Sequence, residues 1–284
     1  MEPLQRDVVA NGLRHRVLEW DGGGRTTVLC LHGFLDSAWA FFEVAPRLAR
    51  AGFHAVAPDL RGFGDSERVG AGGYYYFTDY LLDVADLADA LRRDRLALVG
   101  HSMGGGIAAQ FAASFPDRVW RAALLESIVW DQPSEPPPRR VARWVEEVRR
   151  ARGRPARVFP TLEAAAERIR QLDPRCPPAT ARALAERSAL AVDGGFSFKH
   201  DPLHVTASPF PFDLARVKAF WSAIRCPVLL LQGAETEMPI PADIEERVAC
   251  FRDARQVVIP DAGHMMMRHR PEEIARALVE FLGQ

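Results

Sequence analysis

The chain predicts an α/β fold in which a mostly parallel sheet is covered by helices and interrupted by one helical insertion. Three observations carry this expectation. Short apolar runs alternate with helical patterns from about residue 27 onward. The runs are almost wholly apolar instead of alternating with polar residues, as strands buried on both faces are. The alternation stops at Trp130, gives way to a stretch rich in Pro and Arg, and resumes at Cys226-Pro227.

In chain order, Asn11-Gly12 is a type I′ turn signal that predicts a hairpin between residues 7–10 and 14–20. Asp21-Gly22-Gly23-Gly24 then breaks the strand. Residues 27–31, 53–57, 96–99, 122–125, 228–231 and 256–259 read as sheet strands. Helices are expected at 40–50, 78–93, 104–114, 242–251 and 271–282, the last with Pro271 at its start. Within the insertion, helical patterns fall at 141–151, 162–171 and 179–190. The expected organisation is a core of residues 1–130 and 213–284 with a helical cap, 131–212, inserted after the sixth strand and placed as a lid over the sheet's carboxyl edge, where open α/β folds put their ligands.

Composition narrows the function. Among 284 residues, 36 Lys and Arg balance 37 Asp and Glu, so there is no global pull toward nucleic acid or an anionic membrane. Residues 1–11 carry Glu2, Arg6 and Asp7 and no apolar signal core, which makes a cytoplasmic protein the expectation. The apolar runs fall well short of a membrane span. Four scattered cysteines suggest neither a zinc site nor a redox pair, and Cys30, inside an apolar run, reads as a small buried hydrophobe. The insertion holds 14 Lys and Arg against 10 Asp and Glu, which a solvated Arg-rich helix face explains, with steering of an acidic substrate as the alternative.

Chemistry concentrates at three places. Gly100-His101-Ser102-Met103-Gly104 fits G-x-S-x-G directly after a predicted strand and before a helix, the context in which a sharp turn presents a serine hydroxyl at the sheet edge. His32-Gly33-Phe34 ends the strand 27–31, so the N–H groups of Phe34 and Met103 are candidates to converge on an oxyanion. Asp261-Ala262-Gly263-His264 follows the last strand, where a histidine takes a serine proton and returns it to a leaving group. His32 and His101 are read as loop and turn residues. His200 and His269 suit a lid and an exposed helix start. Asp59 and Asp65 are expected to shape their loop with Arg61, and Asp261 to serve a turn.

These motifs, with Asp59-Leu60-Arg61-Gly62-Phe63-Gly64-Asp65-Ser66 between them, resemble the α/β-hydrolase fold family over essentially the whole chain. The resemblance implies an eight-stranded, mostly parallel sheet, a Ser-His-acid triad and two oxyanion donors. Residues 31–36 and 196–203 are also similar to the serine-hydrolase-like and mesoderm-specific-transcript branch. The acid departs from the pattern, because many relatives read G-x-x-D after the strand 228–231 and here Thr236 stands at that place. Glu126, at the end of the strand 122–125, resembles the acid position of haloalkane dehalogenases and is the first choice, Glu237 the second and Glu235 the third. Dehalogenation itself needs a carboxylate nucleophile, and Ser102 occupies that position.

The expected activity is hydrolysis of a small, largely apolar ester-type substrate through an acyl-enzyme, with Ser102 as nucleophile, His264 as base then acid, and Glu126 orienting the histidine. Trp130, Phe198 and Met265 are the candidate substrate contacts, no metal or organic cofactor is called for, and a monomer or homodimer is expected. The alternatives are carbon-carbon, lactone or amide cleavage by the same triad, or a catalytically silent ligand-binding protein of this fold.

Overall fold

Asn11 and Gly12 both take positive φ (49° and 71°), and this turn pairs β1 (Leu4–Ala10) with β2 (Leu13–Asp21) in antiparallel register. The structure, a computed structural model, describes residues 1–24, 26–131 and 135–284; Arg25 and residues 132–134 at the start of the expected cap lie outside the described residues. Among the described residues the chain continues through β3 (Thr27–Leu31), β4 (His54–Pro58), β5 (Leu96–His101), β6 (Val119–Leu125), β9 (Val228–Gly233) and β10 (Ala254–Ile259). The eight strands form one sheet in the order β1-β2-β4-β3-β5-β6-β9-β10, parallel from β4 onward. Every residue of β3, β4 and β5 is buried, which accounts for sequences that are apolar but for one end residue each, Thr27, His54 and His101.

Helices cover both faces. The expected helix 40–50 is two pieces, a 3₁₀ turn at Ala38–Phe41 and α1 at Ala45–Arg50. Pro46 is the reason: inside a continuous helix it would lack the N–H owed to Phe42 and clash with that carbonyl, whereas in a first turn it is tolerated. α2 (Asp79–Ala90) and α3 (Met103–Ser114) follow, and after the insertion come α7 (Leu214–Ala223), α8 (Ile244–Ala249), α9 (Met266–His269) and α10 (Pro271–Leu282). α7 and α9 have no counterpart among the expected helices, although Asp213 caps α7 by accepting the Arg216 N–H at 3.0 Å. One apolar layer joins Leu48, Leu278 and Phe281 to Val28, Cys30 and Val99; the other joins Leu87, Ile107, Phe111 and Trp221 to Leu29, Leu98 and Leu124. Cys30 is fully buried, and burial pushes its thiol well above the ordinary range, as an inert core residue requires.

Between β6 and β9 lie α4 (Pro137–Arg152), α5 (Leu162–Leu172), α6 (Pro178–Ser188) and a hairpin of β7 (Ala189–Val192) and β8 (Gly195–Phe198). The expected helix 179–190 therefore stops at Ser188. Gly194 and Gly195 at positive φ turn the chain so that Leu190 pairs with Ser197 instead of continuing the helix. This segment closes a small core of its own around Phe159, Ala165, Cys176 and Ala181. It is tied to the sheet domain by Gly64 N–H to the Lys199 carbonyl at 2.7 Å and Asp201 N–H to the Gly62 carbonyl at 2.8 Å. Beside these bonds His204 is stacked between Phe63 and Tyr75, 3.7 and 3.9 Å from their centroids, and burial lowers its pKa to about 3, so the junction holds a neutral imidazole. Among the described residues, no helix is long and apolar enough to cross a membrane.

Candidate active site

Ser102 sits between β5 and α3 with φ 51° and ψ −116°, a conformation costly for a residue with a Cβ and held only because the surroundings over-determine it. Its N–H donates to the Leu125 carbonyl at 2.8 Å, and its carbonyl accepts from Gly105 at 3.0 Å. Glycines make the turn possible: a Cβ on Gly104 would lie 2.1 Å from the Leu31 carbonyl oxygen, and one on Gly100 would lie 2.3 Å from that of Gly104. Gly104→Ala is accordingly expected to destabilise the fold by about 3 kcal/mol or more. Denaturant unfolding checks this, and a midpoint like that of the wild type would show that α3 can move away from β3.

His264 lies on the loop after β10, with Nε2 3.1 Å from Ser102 Oγ and Nδ1 3.4 Å from Glu126 Oε2. Among the described residues, three side-chain bonds hold the backbone of this loop. His101 Nε2–H donates to the His264 carbonyl at 2.8 Å, Glu237 accepts the His264 N–H at 3.0 Å, and His269 Nδ1 accepts the Gly263 N–H at 3.0 Å. His101 is buried, and burial, reinforced by the neighbouring His264, lowers its pKa to about 4, so it is a neutral strap between the serine turn and the histidine loop. Asp261 serves the turn as expected, at φ 53° and 2.5 Å from Arg270.

Glu126 follows β6 at φ 50°, and its N–H still pairs with the Leu231 carbonyl at 2.9 Å. Oε1 accepts the Gly233 N–H at 2.6 Å, and Oε2 accepts the Thr236 hydroxyl at 2.7 Å besides facing His264. Burial by itself would raise this carboxyl, yet the bonds from His264, Gly233 and Thr236 together hold it below its ordinary value. Thr236, at the position where the G-x-x-D pattern places an acid, thus donates to Glu126. Glu237 reaches the histidine backbone and not its ring, and Glu235 pairs with Arg175.

The depressed Glu126 pKa has a defined sign in stability. The stabilisation is complete above the unfolded-chain value of 4.5 and is lost as pH falls through the lower native value. The melting-temperature advantage of the wild type over Glu126→Gln is expected to shrink on acidification below about pH 4.5. A difference that stays constant to about pH 3 would show that the native and unfolded carboxyls titrate alike.

Gly33 brings the loop after β3 against the serine turn, since a Cβ there would lie 2.9 Å from His101 Nδ1 and 3.3 Å from Ser102 Cβ. Met103 is the first residue of α3, so its N–H has no carbonyl four residues back within the helix and lies at the positive end of the helix dipole. Phe34 follows Gly33, its ring exposed and edge-on to Phe63. His32 is structural: Nδ1–H donates to the Gly33 carbonyl at 2.7 Å while Nε2 accepts the Leu60 N–H at 3.0 Å.

Other residues take different places from those expected. Asp59 does shape its loop, but by accepting the Ala38 and Asp65 N–H groups at 2.7 and 2.8 Å; Arg61 turns away to Asp83. Asp65 pairs with Lys199 at 2.9 Å. Burial lifts the Asp59 carboxyl to about 6. Phe198, expected at the substrate, packs edge-on against Phe159 at 5.2 Å beside the insertion's own core, because β8 turns it there. Met265 is half-buried directly after His264. The Trp130 side chain is 52% exposed, and its carbonyl accepts from the buried Arg247 at 2.7 Å. His269 does not start an exposed helix, since its side chain is buried and bonds Asp173 of the insertion at 2.8 Å. The supporting roles of His101, Thr236, Glu237 and His269 had no signal in the chain beyond their closeness to the motifs.

A largely parallel sheet with a strained serine between strand and helix, facing a histidine from the last strand's loop, defines a hydrolase fold of the α/β type. Residues 26–268 match the α/β hydrolase fold family, and the chain belongs to it. It is similar to a serine hydrolase-like protein of Dictyostelium discoideum, 28% identical over 90% of this chain and 74% of that one. A serine hydrolase-like protein of Danio rerio is 28% identical over 93% of this chain and 83% of its own length. Among solved structures, a hypothetical protein of Pseudomonas aeruginosa PAO1 superposes with a TM-score of 0.89 at 25% identity, covering 100% of both chains.

Proposed function

We propose that this chain is a serine hydrolase that cleaves a small, largely apolar ester-type substrate through an acyl-enzyme intermediate. The observation that carries this reading is the hydrogen-bonded chain from Ser102 through His264 to Glu126, 3.1 and 3.4 Å long at its two links. The Ser102 hydroxyl attacks the substrate carbonyl as its proton passes to His264 Nε2, and the resulting imidazolium is stabilised by Glu126. The carbonyl oxygen, now negative, is met by the N–H groups of Phe34 and Met103, each such donor being worth about 3 kcal/mol. His264 then gives its proton to the departing alcohol, and a water molecule, deprotonated by the same nitrogen, releases the acid and restores the serine. No step calls for a metal or an organic cofactor.

The preference for an apolar substrate is supported by the exposed rings and aliphatic chains of Phe34, Leu35 and Trp130 on the loops that leave the sheet beside Ser102 and Glu126. We assign Phe34, Met265 and Trp130 to the substrate side of the site and take the insertion as its lid. The test is turnover of p-nitrophenyl acetate and butyrate, together with labelling by a fluorophosphonate probe. Turnover with burst kinetics and labelling at Ser102 is expected. A folded protein that neither turns over nor labels would be a ligand-binding member of the family.

A further inference from the structure

We propose that Asp173, at the corner between α5 and α6 of the insertion, is a positioning residue for His264 that acts through His269 and the Gly263 amide. The inference rests on the reading of His264 as the base. The Gly263 N–H, one residue before His264, donates to His269 Nδ1 at 3.0 Å, and His269 Nε2 lies 2.8 Å from Asp173 Oδ1. Both side chains are almost fully buried, at 3% and 4% exposure, so neither bond is replaced by water without opening the corner.

The two neighbours of His269 select the same tautomer. Accepting from Gly263 requires a bare Nδ1, which puts the ring proton on Nε2, where the Asp173 carboxylate accepts it. The other Asp173 oxygen faces Arg268 Nη1 at 3.6 Å, and Arg268 Nη2 pairs with Asp36 at 2.8 Å on the loop that follows Phe34. Close by, Arg175 pairs with Glu235 and reaches Glu237 at 3.4 Å, and Glu237 accepts the His264 N–H. The same corner of the insertion therefore supports the amides of Gly263 and His264 and, through Arg268, the loop that carries the Phe34 N–H. The insertion closes its own core around Phe159, Ala165 and Ala181 without these charged contacts. Their effect falls on the sheet domain: with the insertion seated, Asp173 and Arg175 brace His269 and Glu237, the acceptors of two successive amides of the histidine loop, and when it lifts both braces leave together. Completion of the serine-histidine pair is thereby tied to the closed insertion.

Asp173→Asn tests this. Arg268 attracts the amide oxygen, which turns the NH₂ toward His269 Nε2. That nitrogen must then accept, the ring proton moves to Nδ1, and Nδ1–H opposes the Gly263 N–H. The expected result is a drop in kcat of about 10- to 100-fold, as a misplacement of about 1 Å produces, with KM changed by less than about twofold and the melting temperature showing a folded protein. In protein labelled with ¹⁵N-histidine, the His269 proton is expected on Nε2 in the wild type and on Nδ1 in the variant, with shifts in the His264 ring and the Gly263 amide. A merely structural role would move the His269 tautomer without shifting the His264 ring or splitting kcat from KM. If Asp173→Asn fails to fold, His269→Phe keeps a planar aromatic ring, removes the acceptor and is expected to show the same loss of kcat and the same His264 shift. Unchanged kcat with unchanged His264 and Gly263 signals overturns the proposal. If the wild type proves inactive, the reading of function fails separately, and the His264 ring and Gly263 amide signals alone decide whether Asp173 positions the loop.

Discussion

Replacement of Ser102 by alanine is expected to lower ester turnover by roughly 10⁴- to 10⁶-fold and to abolish fluorophosphonate labelling. No other hydroxyl takes its place, because the turn delivers this one side chain to His264 Nε2 at 3.1 Å. The cost is large because nucleophile and base act as a unit: without the serine, the imidazole has no positioned proton to accept, and only binding and the oxyanion donors remain. The fold should persist, as the turn is held by backbone bonds from Ser102 N–H to Leu125 and from Gly105 to Ser102. Steady-state turnover and circular dichroism on the same preparation give the comparison. A loss of less than about tenfold would show that Ser102 is not the nucleophile.

The second large effect belongs to the acid. Glu126→Gln is expected to lower kcat by about 10³- to 10⁴-fold with little change in KM. The argument is one of tautomers. The amide oxygen is required by the Gly233 N–H, which bonds Oε1 at 2.6 Å, so the NH₂ faces Thr236 and His264. The Thr236 hydroxyl can reverse and accept, but His264 Nδ1 must then accept as well, and its proton is transferred to Nε2, where it confronts Ser102 instead of receiving from it. Glu237→Gln is expected to cost less than about tenfold, because an amide oxygen can still accept the His264 N–H. Should Glu237 prove the sensitive residue and Glu126 the tolerant one, the acid would have to be reassigned to the loop after β9.

How much of this was legible in the chain depended on whether the feature is local. The nucleophile turn was legible because its demands are local: a residue at φ 51° between strand and helix needs small neighbours, and Gly100, Gly104 and Gly105 stand beside it in the sequence. The same holds for the fully buried strands, whose unbroken apolar runs need no partner to be recognised. Glu126 was legible by another route, its resemblance to the acid position of haloalkane dehalogenases, although nothing in the chain says which groups compensate the burial of a carboxylate there. The break in the helix 40–50 was written in Pro46, and α7 in the cap Asp213, and both are short-range signals that a reading by hydrophobic pattern passes over.

Phe198, His269 and Asp173 show where sequence reasoning ends. An aromatic residue on the insertion has equal claim to a substrate or to a small core, and only the β7-β8 hairpin, which turns Phe198 onto Phe159, decides between them. His269 looks like a residue at an exposed helix start until a corner 96 residues away in the chain covers it. Local propensity and hydrophobic pattern determined the sheet, the serine turn, the histidine loop and the place of the insertion, because each depends on residues adjacent in the chain. Which carboxylate meets the imidazole, what holds the histidine loop, and where the insertion rests were decided by tertiary structure. Those contacts join loops from different strand ends, and their energies depend on burial and on hydrogen-bond geometry that exists only once the sheet has brought the ends together.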